Sequence, residues 1–246
     1  MKIKVPTSSS PLSDSPRPQT GCWRKIRQFL FVGAIAMTSL TVAVYLWEQQ
    51  AEQINLDAIK QGKDGTGPLV MEGGDPYIRA LMRTISASEA SDRSPYTIIY
   101  GGEHVTDLSH HPNRCVLIVR GPNRGNCSTA AGRYQMLNTT WSEKAKRYHP
   151  TPPGMMFWKP YSFAPQYQDA VVHAWLSDRR AWGGTNISQM LRDGKLRDVQ
   201  RLLSGTWTSL GYGIESNSLT ARLPKVYKRV LQQELTEYNA EKPSKV

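Results

Sequence analysis

Residues 29–47 form a run of nineteen positions without one charged side chain. No other stretch limits the possible folds as strongly, because a helix of about twenty apolar residues matches the thickness of a bilayer core. Arg24, Lys25 and Arg27 precede the run, and Glu48 and Glu52 follow it. Trp23 lies before it, and Tyr45 and Trp47 lie at its far end, where interfacial aromatics are expected. The positive-inside rule puts the N-terminus in the cytoplasm and everything after residue 48 outside. Two other readings compete. A buried core helix would show a polar face, whereas this run offers only Thr and Ser. A cleaved signal peptide would need a shorter apolar stretch ending at a small-residue site, and Ala34-Ile35-Ala36 sits in mid-run. The expectation is an uncleaved transmembrane signal-anchor over residues 23–47, making a single-pass inner-membrane protein with its main domain extracytoplasmic.

The remaining boundaries follow from composition. Residues 1–22 are rich in Ser, Pro and Thr and read as a disordered cytoplasmic tail. Residues 48–73 are polar and broken by glycine, and read as a stalk or linker with a reach of roughly 25–30 Å. A compact domain is expected over residues 74–238, with a polar tail over 239–246. The net charge of +11 calls for an anionic partner: nucleic acid, a membrane surface or an acidic polymer such as cell wall. The basic residues are scattered rather than packed in a block with aromatics, which argues against nucleic acid. No CxxC or Cys/His zinc spacing occurs among Cys22, Cys115 and Cys127. His110 and His111 are adjacent, so they would point to opposite sides. Neither a metal nor a cofactor is expected.

Inside the domain, Ile78, Leu81, Met82 and Ile85 recur at i, i+3, i+4 and i+7, predicting a helix over 77–90. Glu89 continues that stripe. Desolvation and the negative end of the helix dipole would both disfavour its ionised form, which is how a carboxyl group is kept ready as a general acid. A terminal-turn Glu that swings into solvent is the plainer alternative. Residues 96–100 and 115–120 are strand candidates, and Cys115 would lie opposite Cys127 across a hairpin. A disulfide between them and two free thiols both remain open. Thr140-Trp141-Ser142-Glu143 reads as a capping box opening a helix to Tyr148. Residues 150–165 form a Pro- and aromatic-rich loop, suited either to lining a sugar groove or to covering the core. Helical patterns follow over 166–180, more weakly over 187–203, and over 218–237, where Pro224 fits only near the first turn. Together these predict an α+β domain, mainly helical with one small sheet.

Several motifs in one order then resemble the lambda-phage endolysin family of lysozyme-superfamily enzymes. Ser88-Glu89 with Asp92 resembles its catalytic segment, and Gly101-Gly102-Glu103 through Thr106-Asp107, Ser109 and His111-Pro112 resembles its GGE…TD.S.HP stretch. Residues 128–137 (STAAGRYQML), Gln168-Asp169-Ala170-Val171, and residues 207–213 with Glu215 are similar to further family segments. The likeness spans about residues 78–230. It implies a lysozyme-like fold with a β-hairpin lobe. It also implies cleavage of the β-1,4 bond between N-acetylmuramic acid and N-acetylglucosamine in peptidoglycan glycan strands. Glu89 would be the catalytic acid. Tyr134, Gln135 and Tyr212 would face the substrate, and Ser86 or Gln135 would hold a water if the reaction were hydrolytic.

Glycoside hydrolysis ordinarily uses two carboxylates. The phage-type pattern places an Asp nine positions after the Glu, and that position here is Ile98. Asp92 is too close in sequence to be an obvious opposite-face partner, and the resemblance gives Asp107 no catalytic role. A lone acid suits a lytic transglycosylase, in which the sugar's own C6 hydroxyl closes a 1,6-anhydro ring. Two other classes stand beside this reading. One is a non-catalytic wall-binding scaffold, against which the retained Glu89 argues. The other is a membrane-tethered binder of nucleic acid or anionic lipid, which explains the charge but none of the motifs.

Overall fold

A computed structural model of the chain describes residues 42, 46, 64–151, 160–212 and 219–241. It divides into two units, Met1–Ile54 and Asn55–Val246. In the first, Val42 and Leu46 are helical and exposed. The rest of the expected anchor and the tail over 1–22 lie outside the described residues. Among the described residues no helix is long and apolar enough to cross a membrane.

The second unit is built around helix α1, Pro76–Glu89. Asp75 caps it by accepting from the backbone N–H groups of Tyr77 (2.8 Å) and Ile78 (3.3 Å), and Pro76 takes the first turn, where no N–H is needed. The predicted stripe is buried, but so are Ala80, Arg83, Thr84, Ser86, Ala87 and Ser88. The helix is therefore central rather than one-faced: Tyr77 and Arg79 in its first turn and Glu89 at its end are half-buried, and the rest is buried. Its main neighbour is the C-terminal helix. Two ion pairs pin the two together, Arg79 and Arg83 both meeting the buried Glu234.

Strands are shorter than predicted. Among the described residues only β1 (Val116–Leu117) and β2 (Cys127–Ser128) pair as strands, antiparallel, with Val116 opposite Ser128. Residues 98–104 make an isolated bridge instead of a strand, because Ile99 N–H donates to Glu103 (2.8 Å) within a turn and Tyr100 N–H donates to Ala130 (2.8 Å). Leu117 and Val119 are exposed on the hairpin. Cys115 and Cys127 are joined by a disulfide, their Cα atoms 5.4 Å apart, which resolves the open alternative. In the chain-entropy picture a loop this short gains about 3 kcal/mol from the cross-link.

Helix α2 (Asn138–Tyr148) begins two residues before the predicted capping box, and its N-cap residue, Leu137, supplies no side-chain cap. Thr140 therefore lies inside the helix. Helix α3 (Pro165–Ser177) ends in a 3-10 turn, Arg179–Trp182. The weak stretch over 187–203 is two helices, α4 (Ile187–Arg192) and α5 (Leu196–Leu203). Gly194 parts them at φ 74°, a conformation that ends a helix readily only with glycine. A 3-10 turn, Thr208–Leu210, follows, then another, Thr220–Arg222, leading into α6, Leu223–Glu241.

The expected linker over 48–73 needs correction in its second half. Residues 64–73 are not a free stalk but a strap packed into the domain, with Asp64, Thr66 and Leu69 buried. Three arginines hold its carbonyl groups. Arg83 donates to Thr66 (2.7 Å) and Arg79 to Met71 and Gly73 (both 2.9 Å). Arg133 donates to Pro68 (2.9 Å), Gly65 (3.1 Å) and Gly67. A polar, glycine-rich strand of chain reads as a linker because its backbone, not its side chains, makes the contacts.

Candidate active site

Glu89 is the last residue of α1, half-buried where the helix leaves the core. Helix geometry thus delivers one carboxylate to the surface from an element buried over the nine preceding residues. The hydroxyl of Ser209 donates to its Oε1. Ser209 is itself buried and sits in the middle of the 3-10 turn Thr208–Leu210. That turn is fixed from two sides. The Trp207 indole N–H donates to the Tyr134 carbonyl (3.0 Å), and the Thr220 hydroxyl donates to the Ser209 carbonyl (3.1 Å). At Gly211, φ 102°, an added Cβ would lie 2.5 Å from the Thr220 side chain, so the chain passes too close for any larger residue.

The other acidic side chains of the loop after α1 have partners of their own. Asp92 accepts from Ser94 N–H (2.6 Å) and lies 3.7 Å from His104. Glu103 pairs with Arg114 at 2.7 Å. Asp107 is exposed and accepts from Ser109 N–H (2.8 Å); hydrogen bonding from Ser109 holds its carboxyl below the usual range. Ile98, where the phage-type pattern wants an Asp, spends its carbonyl on Gly132 N–H (2.8 Å) and the Gln135 amide (3.3 Å). Among the described residues no group of His, Cys, Asp or Glu could hold a metal ion.

Two of the expected substrate contacts move inward. Ser86 is fully buried and donates to the Gly65 carbonyl at 2.6 Å, so it holds the strap rather than a sugar or a water. Tyr134 is 1 % exposed and donates to Asp169 at 2.6 Å. Its neighbours explain the motif in which it lies. Gly132 has φ 72°, and a Cβ there would meet the Gln168 amide oxygen at 2.3 Å. Arg133 N–H donates to that same oxygen at 2.9 Å, while the Gln168 amide donates to Tyr96 (2.9 Å) and Phe163 (2.8 Å) carbonyls. The GRYQ and QDAV segments therefore brace each other inside the protein.

Gln135 and Tyr212 remain accessible. Gln135 is half-buried at φ 44°, a left-handed conformation uncommon outside glycine, and its amide donates to Gly132 (3.0 Å). Tyr212 is exposed, three residues beyond Ser209, with the Arg201 guanidinium 4.9 Å above its ring. Of the aromatic loop over 150–165, residues 152–159 lie outside the described residues, as does Glu215. The structure thus joins Glu89 to the segment carrying Tyr212, through Ser209. Nothing in the sequence marks Ser209 within that segment, since a lone Ser in a Thr-Ser-Leu turn carries no pattern of its own.

Comparison with known proteins bears on this geometry. The sequence pattern of the Endolysin family matches residues 79–233. The chain is 31% identical over 145 residues to the endolysin of Escherichia phage lambda, covering 55% of this chain and 79% of that protein. Among solved structures it is similar to bacteriophage lambda lysozyme complexed with a chitohexasaccharide, at 27% identity and TM-score 0.47, over 65% of this chain and 97% of that one. A second structure of lysozyme from bacteriophage lambda matches at 23% identity and TM-score 0.43, over 68% of this chain and 96% of that one.

Proposed function

Because the chain belongs to the endolysin family and is a peptidoglycan-cleaving glycosidase, we propose that it acts as a lytic transglycosylase with Glu89 as its catalytic acid and base. The observation that carries this reading is Glu89's position, half-buried at the end of a helix that is buried without a break from Ala80 to Ser88, with the loop acids engaged elsewhere. Glu89 gives its proton to the oxygen of the β-1,4 bond as the bond from the muramic acid C1 breaks. The resulting carboxylate takes the proton from the C6 hydroxyl of the same sugar, whose oxygen then closes on C1. The product ends are a free 4-hydroxyl and a 1,6-anhydro ring. No water and no protein nucleophile enters the balance. Helix packing supplies the orientation such a proton transfer requires.

Glu89→Gln tests the assignment. Purified protein is incubated with cell-wall sacculi and the released muropeptides are weighed by mass spectrometry. Wild type should give anhydro ends, and the variant should release less than about one-hundredth as much. Reducing ends instead would make the enzyme a hydrolase of the same bond, with Gln135 left to position water. Undiminished release by the variant would remove Glu89 from the chemistry altogether.

We also propose that residues 23–47 anchor the protein in the inner membrane, with the catalytic domain outside. Support comes from the uncharged run, the basic residues before it and the Cys115–Cys127 disulfide, which suits an oxidising compartment. The full chain should resist alkaline carbonate extraction from membranes, and a chain lacking residues 23–47 should be released. Release of both would dismiss the anchor.

A further inference from the structure

We propose that Ser209 is the positioning residue of the catalytic carboxylate, holding Oε1 of Glu89 so that its proton is carried and returned at Oε2. The inference rests on the assignment of Glu89 above. Its grounds are geometric. The Ser209 hydroxyl donates to Oε1. Ser209 is 8% exposed, so it acts on substrate only through Glu89. The turn that presents it is held by Trp207 on one side and Thr220 on the other, and neither bond depends on Glu89.

The chemistry asks for such a donor. A transglycosylase carboxyl works twice, giving a proton to the glycosidic oxygen and then taking one from the C6 hydroxyl. Both transfers need the same oxygen in the same place. A glutamate has three side-chain torsions, and one at a helix end can turn about all of them. A hydroxyl that donates to Oε1 serves in both states. It bonds to the anion after the first transfer, and to the carbonyl oxygen of the acid before it. A bond to the charged form is the stronger of the two, so Ser209 also favours the carboxylate. An alanine at 209 should therefore loosen the orientation and shift the balance toward the acid.

The test compares full-length wild type, Ser209→Ala, Ser209→Thr and Glu89→Gln on soluble glycan strands, with kcat and KM followed across pH. For Ser209→Ala we expect kcat to fall roughly ten- to a hundredfold with KM within about twofold, and the alkaline limb of the kcat/KM profile to move to higher pH. Ser209→Thr, which keeps the hydroxyl, should restore both. A carbon-13 label at the glutamate carboxyls, with Glu89→Gln to identify its signal, follows the titration even where turnover is too slow to measure. Two results overturn the inference: an alkaline limb and a carboxyl titration unmoved in Ser209→Ala, or a loss that appears in KM alone. If Glu89→Gln keeps its activity, the assignment of Glu89 itself fails. If Glu89→Gln is inactive while Ser209→Ala behaves as wild type, only the role of Ser209 fails.

Discussion

Asp169 is fully buried and accepts four hydrogen bonds, from the hydroxyls of Tyr134 and Tyr96 and from the N–H groups of Val70 and Met71. Burial pushes both phenols above the ordinary tyrosine range, which favours the protonated, donating form of each. Arg133 sits on the same network, donating to the Tyr96 hydroxyl at 2.8 Å. This cluster is why a motif tyrosine of a glycan-cleaving family lies inside the protein here, away from sugar. Tyr134→Phe keeps the ring and removes one donor. It should cost about 1–3 kcal/mol of stability, read from denaturant unfolding, while kcat and KM per folded molecule stay within twofold. A raised KM at unchanged stability would return Tyr134 to the substrate.

Two histidines couple elements to pH. His173 on α3 accepts the N–H of Asp75 at 3.3 Å, at the start of α1. His111 accepts the N–H of Asn113 at 3.0 Å through Nδ1 and meets the Met136 carbonyl at 2.8 Å through Nε2. Each accepting nitrogen must be unprotonated, and burial holds both imidazoles below the ordinary histidine range. A group with a depressed folded pKa binds its proton more readily in the unfolded chain. The stability it contributes is complete above the unfolded value, near pH ~6.5, and is lost as pH falls through the folded one. Unfolding free energy should therefore decline between pH 7.5 and 5. His173→Asn, which has no group titrating there, should show a shallower decline. An equal slope in wild type and variant would mean His173 does not contribute.

At the scale of the molecule, the strap over residues 64–73 decides where the domain begins. It buries Leu69 and satisfies donors on Arg79, Arg83 and Arg133, and its Gly65 carbonyl takes the Ser86 hydroxyl one turn before Glu89. A Cβ at Gly65 would lie 2.9 Å from the Ser86 carbonyl, so strap and helix are in direct contact. A chain starting at Gly74 would leave Arg83 and Arg133, both nearly fully buried, short of acceptors. It should be less stable than one starting at Asn55 by more than about 3 kcal/mol, measured by chemical denaturation. Equal stability would mean the strap is only laid on the surface. The same contact ties the segment leading toward the N-terminus to the helix that carries the candidate acid.

Local pattern determined a great deal. The stripe of Ile78, Leu81, Met82 and Ile85 announced α1 and placed Glu89 at its end, because helical periodicity is written in neighbouring side chains. The ordered motifs announced the family, and the spacing of Cys115 and Cys127 allowed the bond they form. What local pattern could not carry were contacts made over long separations by groups that every residue has. The strap is held by backbone carbonyls, which leave no trace in composition. Tyr134 was turned inward by Asp169, 35 positions away, and Ser209 was brought to Glu89 across 120. The sequence alone thus named the candidate carboxylate, whose position one helix sets. Only the packing of α1 against a distant turn decided which hydroxyl meets it, because that contact exists only once the core between them has closed.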